Sequence, residues 1–314
     1  MQRRNFLAQL ASGAMSAALG CGGSVFAYKD KKRHAPSPPP KLDRIAISTW
    51  SLHNYFRATR ESTSNLRGPM LALLDFPEMI VDRYSVRHFE VCASQFPSTE
   101  QAFVRELKYS LANTLSTIVN ISVDIEPCGP SGTFSDPDGE TRLAALEAVK
   151  PWVDIAHDLG VKTVSVAPGK VDPDDLAPTV ASYKSLATYA LAKGVHVVAE
   201  NQNSFGAEHP EALAKLIRLA GPGRLSALPN LANFPDEATR ARGLKLLFPL
   251  APALCHAKVR EFDANGTESG YDFPQAVEAA KRFGFHGTYI IDFEGPGDPY
   301  AGIQKTLNEL LEYL

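Results

Sequence analysis

Between Asp43 and the C-terminus, short apolar runs rich in β-branched residues alternate eight times with longer segments of helical period. This alternation is typical of parallel βαβ units, in which a helix packs back on the sheet after each strand. The predicted strands are Arg44–Trp50, Arg87–Cys92, Ser116–Asp124, Lys162–Ala167, Val195–Glu200, Leu225–Asn230, Leu254–Lys258 and Thr288–Asp292. Eight units in about 270 residues predict an α/β fold closed into a (β/α)8 TIM barrel. A doubly wound open sheet is the alternative, but no Gly-x-Gly-x-x-Gly follows the first strand.

Turn and capping residues mark the ends of the predicted helices. Asp136-Pro137 precedes a long helix, and Gly160 supplies the glycine that helix ends favour. Asp172-Pro173 is predicted to start the next helix, which Gly194 closes. Three further prolines lie at or near first turns, where a backbone N–H has no helical partner to lose: Pro210, Pro235 and Pro274.

Residues 1–27 differ in character from the rest of the chain. Arg3-Arg4 is followed by Asn-Phe-Leu and then by a mildly apolar run rich in Ala, Gly and Ser. This pattern is typical of a cleaved twin-arginine signal peptide, which predicts recognition by the twin-arginine export machinery and a periplasmic location. A lipoprotein anchor at Cys21 and an ordinary N-terminal helix are the alternatives. Residues 28–42 are basic and then proline-rich, which predicts a disordered tether before a barrel at 43–314.

Charge and cysteine content exclude several classes of protein. Removal of the first 27 residues takes away two arginines and no acid, which changes the net charge from −3 to −5. A mildly acidic chain with scattered charge is unsuited to nucleic acids, so no nucleic-acid partner is expected. No phosphate-binding glycine loop is present, so no nucleotide cofactor is expected. The three cysteines that remain, Cys92, Cys128 and Cys255, are an odd and scattered set. They argue against a disulfide framework, although the sequence leaves a single disulfide bond as an alternative.

Polar side chains are concentrated at the C-terminal ends of the predicted strands, where the active sites of such barrels lie. They are Trp50 with His53, then Glu90, Asp124, Glu200 with Asn201 and Gln202, Asn230 with Asn233, His256 with Lys258, and Asp292 with Glu294. Carboxylate, amide and imidazole donors from strands five to eight suit one divalent cation such as Mn, Mg, Co or Zn: Glu200, Asn230, His256 and Asp292. Each of these four also has an ordinary structural reading, as a rim ion pair, a turn residue or a hydrogen-bonded core group.

Five segments of the chain resemble the xylose isomerase-like barrels, the sugar phosphate isomerase/epimerase superfamily. VDIAHDLGVKTVSVAPG is similar to the family's helix and strand before the fifth strand. GVHVVAENQNS is similar to the family's fifth strand and ALPNLANFP to its sixth; CHAKVREFD is similar to the His-x-Lys strand, and FPQAVEAAKRFGFHGTYIIDFEG to the closing helix and strand. The family's metal ligands are Glu, Asp, His and Glu, and the matching positions here are Glu200, Asn230, His256 and Asp292. Two ligands therefore differ in type, and Gln202 replaces a family histidine.

The resemblance implies a metal-dependent isomerase or epimerase of a sugar or keto-sugar that works by proton transfer through an enediolate. It makes Glu200 and Asp292 the candidate acid/base pair. The candidate substrate-binding residues are Trp50, His53, Glu90, Gln202, Asn233, Lys258 and Glu294.

Other outcomes stay open at this point. A keto-sugar dehydratase or lyase would start from the same enediolate, and the loss of the acid at position 230 is what a non-catalytic carbohydrate-binding barrel would show. Cleavage of DNA in the manner of endonuclease IV needs several metals and a surface that attracts phosphate, and the acidic chain disfavours it. The sequence leaves the formation of a homo-oligomer open.

Overall fold

The computed structural model describes residues 41–61, 69–124, 133–263 and 268–314, without the side chains of residues 203 and 204. Its strands are β1 Ile45–Ser48, β2 His88–Cys92, β3 Thr117–Val123, β4 Thr163–Val166, β5 His196–Glu200, β6 Leu225–Leu228, β7 Leu254–Val259 and β8 Thr288–Phe293. All eight strands were predicted from the sequence, and each bound lies within two residues of its predicted position. All neighbouring pairs are parallel.

The strands form a nearly closed barrel in the order β6-β5-β4-β3-β2-β1-β8-β7, which confirms the (β/α)8 prediction. The ring closes between β6 and β7 through an isolated parallel bridge that pairs Asn230 with His256. The His256 N–H donates to the Pro229 carbonyl oxygen at 2.8 Å, and the Leu231 N–H donates to the His256 carbonyl oxygen at 3.0 Å. We call this pair of hydrogen bonds the β6–β7 seam.

Helices lie between the strands. They are α1 Phe76–Tyr84, α2 Gln101–Thr114, α3 Gly139–Leu159, α4 Ala177–Leu191, α5 Asn203–Glu208, α6 Pro210–Ala220, α7 Glu237–Leu247, α8 Phe273–Arg282 and α9 Pro299–Tyr313. Helix α3 is capped by Asp138, whose side chain accepts from the Thr141 N–H, and it ends at Gly160 with φ 77°. The predicted start of α4 at Asp172 is wrong, because Asp172 instead closes a turn by accepting from the Asp174 N–H at 2.9 Å.

The barrel interior changes from apolar to polar along the strand direction. Five buried apolar side chains from five strands pack together inside the ring: Ala46, Val198, Leu228, Leu254 and Ile290. Side chains alternate between the two faces of a strand, so the next inward position lies two residues further along. Those positions are Ser48, Glu200, Asn230, His256 and Asp292. The apolar layer therefore lies directly below the polar residues and closes the bottom of the site.

The predicted signal peptide and all but the last two residues of the predicted tether lie outside the described residues. The first described residues already contact the barrel: Lys41 Nζ donates to the Leu311 carbonyl oxygen at 2.7 Å, and Leu42 packs into the core. No helix in the described part of the chain is long and apolar enough to cross a membrane. Cys92 and Cys255 are buried free thiols, and Cys128 lies outside the described residues.

Candidate active site

A cavity of ≈ 330 Å³ opens at the C-terminal end of the barrel strands. Eight of the predicted site residues line it: Trp50, Glu90, Glu200, Gln202, His256, Lys258, Asp292 and Glu294. The other three predicted residues, His53, Asn230 and Asn233, contact these residues instead of the cavity. The strand ends therefore bring the predicted set together, in two clusters.

The first cluster places His256 between two carboxylates. Its Nε2 lies 3.1 and 3.0 Å from the two carboxylate oxygens of Glu90, and its Nδ1 lies 3.2 Å from Glu200 Oε1. The Nδ1 contact joins opposite charges, but its direction falls short of a hydrogen bond. All three side chains are buried, so their charges are only weakly screened by water.

Glu90 is held by donors from both neighbouring strands. Ser48 Oγ donates to its Oε1 at 3.0 Å, and Asn120 Nδ2 donates to its Oε2 at 2.7 Å. The Asn120 amide also donates to Ser165 Oγ at 2.8 Å. Because these donors fix the Glu90 carboxylate, that carboxylate in turn fixes the ring orientation of His256.

The charges of the first cluster stabilise one another. Burial alone would lower the pKa of His256, but the negative charges of Glu90 and Glu200 raise that pKa well above its ordinary value. Burial likewise raises the pKa of Glu200, and the positive charges of His256 and Lys258 more than offset this, so the pKa is lowered. The favoured state near neutral pH is therefore an imidazolium beside an ionised Glu200.

Two asparagines donate to Glu200. Asn230 Nδ2 donates to Glu200 Oε1 at 2.7 Å, and Asn233 Nδ2 donates to the same oxygen at 3.3 Å. The amide oxygen of Asn230 accepts from the Ala232 N–H at 3.1 Å, which fixes the orientation of the amide. Asn201 holds the Asn230 backbone on both sides, accepting from its N–H at 2.6 Å and donating to its carbonyl oxygen at 3.0 Å.

The second cluster surrounds Lys258. Lys258 and Asp292 are paired across β7 and β8, and Lys258 Nζ lies 3.5 Å from Asp292 Oδ2. The same ammonium lies 2.6 Å from Glu294 Oε2, whose other oxygen accepts from the Trp50 indole N–H. Burial would lower the pKa of Lys258, but the charges of Asp292 and Glu294 raise it, so the ammonium form is favoured.

Asp292 differs from the other carboxylates of the site. Its Oδ1 is buried and has no hydrogen-bond partner among the described residues. Burial raises the pKa of Asp292 to about 6, with Lys258 opposing this shift and Glu294 adding to it. A carboxyl group with a pKa near neutrality can both accept and release a proton under physiological conditions.

The predicted ligand set stays a prediction, and the donors in the structure do not fit a metal ion. Among the described residues, no three His, Cys, Asp or Glu side chains converge on one ion position. Asn230 presents a donor N–H to Glu200 where an ion would need an acceptor oxygen. Asp292 is paired with the Lys258 ammonium. A cation site requires lone pairs directed at one point, and two of the four side chains direct theirs elsewhere.

The remaining predicted residues flank the cavity. Trp50 stacks on His53 with ring centroids 5.0 Å apart, which gives an aromatic edge to the cavity mouth. His53 contacts Asn54 and Glu61 and does not line the cavity. Phe56, which follows Trp50 and His53 in the chain, packs into the core.

Several residues of the site were not predicted from the sequence. Ser48 and Asn120 position Glu90, and Asn201 positions Asn230. Asn120 could have been found, because it is an amide inside the apolar strand TIVNISV, where a buried polar group requires a partner. Three serines that line the cavity, Ser94, Ser122 and Ser165, carry no comparable signal in the sequence. Serine is common on protein surfaces, so its presence does not mark a site.

A model of the xylose isomerase-like TIM barrel family matches residues 81–313. No curated protein sequence matches the chain.

Three solved structures illustrate the similarity in fold. D-psicose 3-epimerase with D-tagatose from Clostridium cellulolyticum H10 has a TM-score of 0.62 at 14% identity, over 85% of this chain and 95% of that chain. The 3-keto-D-glucoside 4-epimerase from E. coli has a TM-score of 0.62 at 14% identity, over 86% and 99%. A xylose isomerase-like TIM barrel protein from Mycobacterium smegmatis in complex with magnesium has a TM-score of 0.58 at 16% identity, over 86% and 97%. At this identity the similarities establish the fold alone.

Proposed function

This chain belongs to the xylose isomerase-like TIM barrel family, and from its site we propose that it is a sugar isomerase or epimerase. The reaction would move a proton at a carbon next to the carbonyl group of an uncharged sugar or keto-sugar. Two of the structural neighbours are, by their names, epimerases of sugars of this class.

One observation carries the proposal: a buried base and a fixed cation lie side by side in the cavity. The unpartnered Asp292 Oδ1 is the base, and the Lys258 ammonium on the other side of that carboxylate is the cation. Asp292 would accept the proton from the carbon, and the C–H electron pair would move toward the carbonyl oxygen. Lys258 would stabilise the resulting enediolate by charge and hydrogen bonding. Return of a proton to the neighbouring carbon gives an isomer, and return to the opposite face of the same carbon gives an epimer.

Glu200 is the candidate partner of Asp292, three strands away around the ring. Because its pKa is lowered, Glu200 stays ionised. It can therefore accept a hydrogen bond from a substrate hydroxyl group, or a proton from the second face of the substrate. His256 Nδ1 has no hydrogen bond among the described residues, and in the imidazolium form this nitrogen carries an N–H that can donate. The first cluster therefore offers the substrate an acceptor and a donor.

The cavity favours a neutral polyhydroxyl substrate over a phosphorylated one. Five acidic side chains line it against two basic ones, and no arginine is among its described lining residues. Hydroxyl-bearing side chains, including Ser94, Ser122 and Ser165, can exchange hydrogen bonds with sugar hydroxyls. A phosphate group would face net negative charge, which disfavours its binding.

The first prediction tests this proposal by hydrogen exchange. Wild-type chain incubated with ketohexoses and 3-keto-glycosides in D2O should incorporate deuterium next to the carbonyl, as read by proton NMR. Asp292→Asn keeps the size of the side chain but removes the base, so the exchange rate should fall by at least about 100-fold. Asp82→Asn, the same change on an exposed face of α1, is the matched control and should keep the wild-type rate.

The products distinguish the related outcomes. A new sugar epimer or isomer supports the proposal, whereas loss of water or of a larger leaving group would assign a dehydratase or lyase acting through the same enediolate. Saturable sugar binding with no deuterium uptake by the wild-type chain would contradict the enzyme and leave a carbohydrate-binding barrel.

A further inference from the structure

We infer that the site is built to work without a bound metal ion, because the Asn230 amide and the Lys258 ammonium already engage the two carboxylates that an ion would need. The inference concerns the cofactor of the proposed enzyme and rests on that function only for the identity of the reaction. Metal binding itself can be measured whether or not the substrate is known.

The Asn230 amide is locked in the orientation that excludes an ion. Its oxygen accepts from the Ala232 N–H, so rotation of the amide by 180° would bring two donors face to face at 3.1 Å. In the observed orientation the NH2 group donates to Glu200 at 2.7 Å. Asn201 and the β6–β7 seam fix the backbone on either side of the side chain. The NH2 group has no lone pair to offer a cation.

An aspartate at the same place would require a cation. With the backbone unchanged, its carboxylate oxygen would lie about as far from Glu200 Oε1 as the 2.7 Å that now separates Asn230 Nδ2 from it. Two ionised carboxylates at that distance repel each other strongly unless a proton or a metal ion lies between them. The amide at position 230 removes this repulsion and replaces it with a hydrogen bond.

Lys258 engages the predicted ligand of the eighth strand. Its ammonium contacts Asp292 at 3.5 Å and Glu294 at 2.6 Å, and it is itself buried. In the first cluster the His256 ring lies between Glu90 and Glu200, with its nitrogens 3.0 and 3.2 Å from their carboxylate oxygens. Each carboxylate of the two clusters thus already contacts an imidazole, amide or ammonium group, and a divalent ion would have to displace one of them.

The test is metal content and metal-dependent stability of the full-length chain, with no readout of activity. Wild-type chain purified without chelator should contain well under one Mn, Co, Zn or Mg ion per chain by mass spectrometry. Its Tm should not move when each ion is added. Asn230→Asp should lower the Tm in chelator, and Mn²⁺, Co²⁺ or Zn²⁺ should restore it, because the ion relieves the new carboxylate repulsion.

Asn308→Asp is the matched control, because it makes the same charge change on the exposed face of α9 and should show no metal response. About one ion per wild-type chain, lost in His256→Ala, would overturn the inference. The wild-type measurements decide the question even if Asn230→Asp fails to fold. An empty wild-type chain that exchanges deuterium supports both proposals, and one that exchanges none contradicts only the proposed function.

Discussion

Asp292 and Glu200 carry the same functional group in opposite electrostatic surroundings. Glu200 accepts hydrogen bonds from Asn230 and Asn233 and lies beside His256, which holds its pKa low. Among the described residues, Asp292 has one unpartnered oxygen and shares the Lys258 ammonium with Glu294. The two carboxylates are therefore not an equivalent pair, and the group that titrates near neutrality is Asp292.

The pH dependence of the reaction should report Asp292. Burial raises its pKa to about 6, so as the pH falls through 6 the carboxylate gains a proton and ceases to be a base. The rate of deuterium exchange should therefore be constant above that value and fall about tenfold per pH unit below it. Lys258 keeps its proton through the neutral range because its pKa is raised, so it adds no alkaline limb there. The measurement is kcat/KM for exchange across the acid and neutral range.

The variant Lys258→Met tests the assignment, because loss of the cation should move the acid limb to higher pH. Lys281→Met, which removes a half-buried lysine that pairs with Glu278 on α8, away from the site, should leave the limb in place. An acid limb at the ordinary pKa of aspartate, about 4, would show that another group is the base.

At the residue scale, the sequence identified which side chains gather at the site but not how they pair. The strand-end positions of Glu200, His256 and Asp292 follow from the period of two along each strand. That Glu90 on β2 holds His256 on β7 depends on a contact across the ring, and that Lys258 engages Asp292 depends on the register between β7 and β8. Only the register of the ring supplies that information.

At the scale of elements, the strands were easier to predict than the starts of helices. Apolar runs mark a buried strand directly, whereas Asp before Pro marks either a helix cap or a turn. Asp136 and Asp172 each close a turn by accepting from the N–H two residues on, but α3 begins directly after that turn, capped by Asp138, whereas α4 begins only at Ala177. The difference lies in the tertiary position of α4, which the local sequence does not specify.

Helix α7 positions the loop that carries the two asparagines of the site. A Cβ on Gly243 would meet the ring of Phe234, at 2.7 Å from Cζ, closer than side chains approach. Gly243→Ala should therefore destabilise the fold by about 1–3 kcal/mol and displace Phe234, the neighbour of Asn233. Denaturant unfolding measures the first effect.

Gly139→Ala is the matched control, at the first residue of α3. Its Cβ would find only Arg142 Nη2 at 3.6 Å, an ordinary contact, and alanine is the better helix former by up to about 1 kcal/mol. Equal stability losses in both variants would show that the approach of α7 to Phe234 does not matter for stability.

At the scale of the whole molecule, the closed barrel and its eight strands were predicted, and its leader remains a proposal. We propose that residues 1–27 direct the chain through twin-arginine export. Replacing both Arg3 and Arg4 by lysine should abolish periplasmic recovery in a fractionated bacterial host, because the receptor reads the arginine pair. Replacing Arg57 and Arg60 by lysine is the control and should not affect export. Periplasmic recovery of the Arg3/Arg4 variant would contradict the proposal.

The β6–β7 seam, which closes the barrel, also carries two residues of the site, Asn230 and His256. Strand β6 ends at Leu228, and the hydrogen bonds that complete the ring involve the peptide groups of Pro229, Leu231 and His256. A fluctuation that breaks the hydrogen bonds of this seam would separate Asn230 from the strand that carries His256. The reaction centre would then be dismantled while the other seven strand interfaces are still intact. If this seam opens before the rest of the barrel, deuterium exchange should be lost on heating before the fold is lost, and the seam would set the working lifetime of the proposed enzyme.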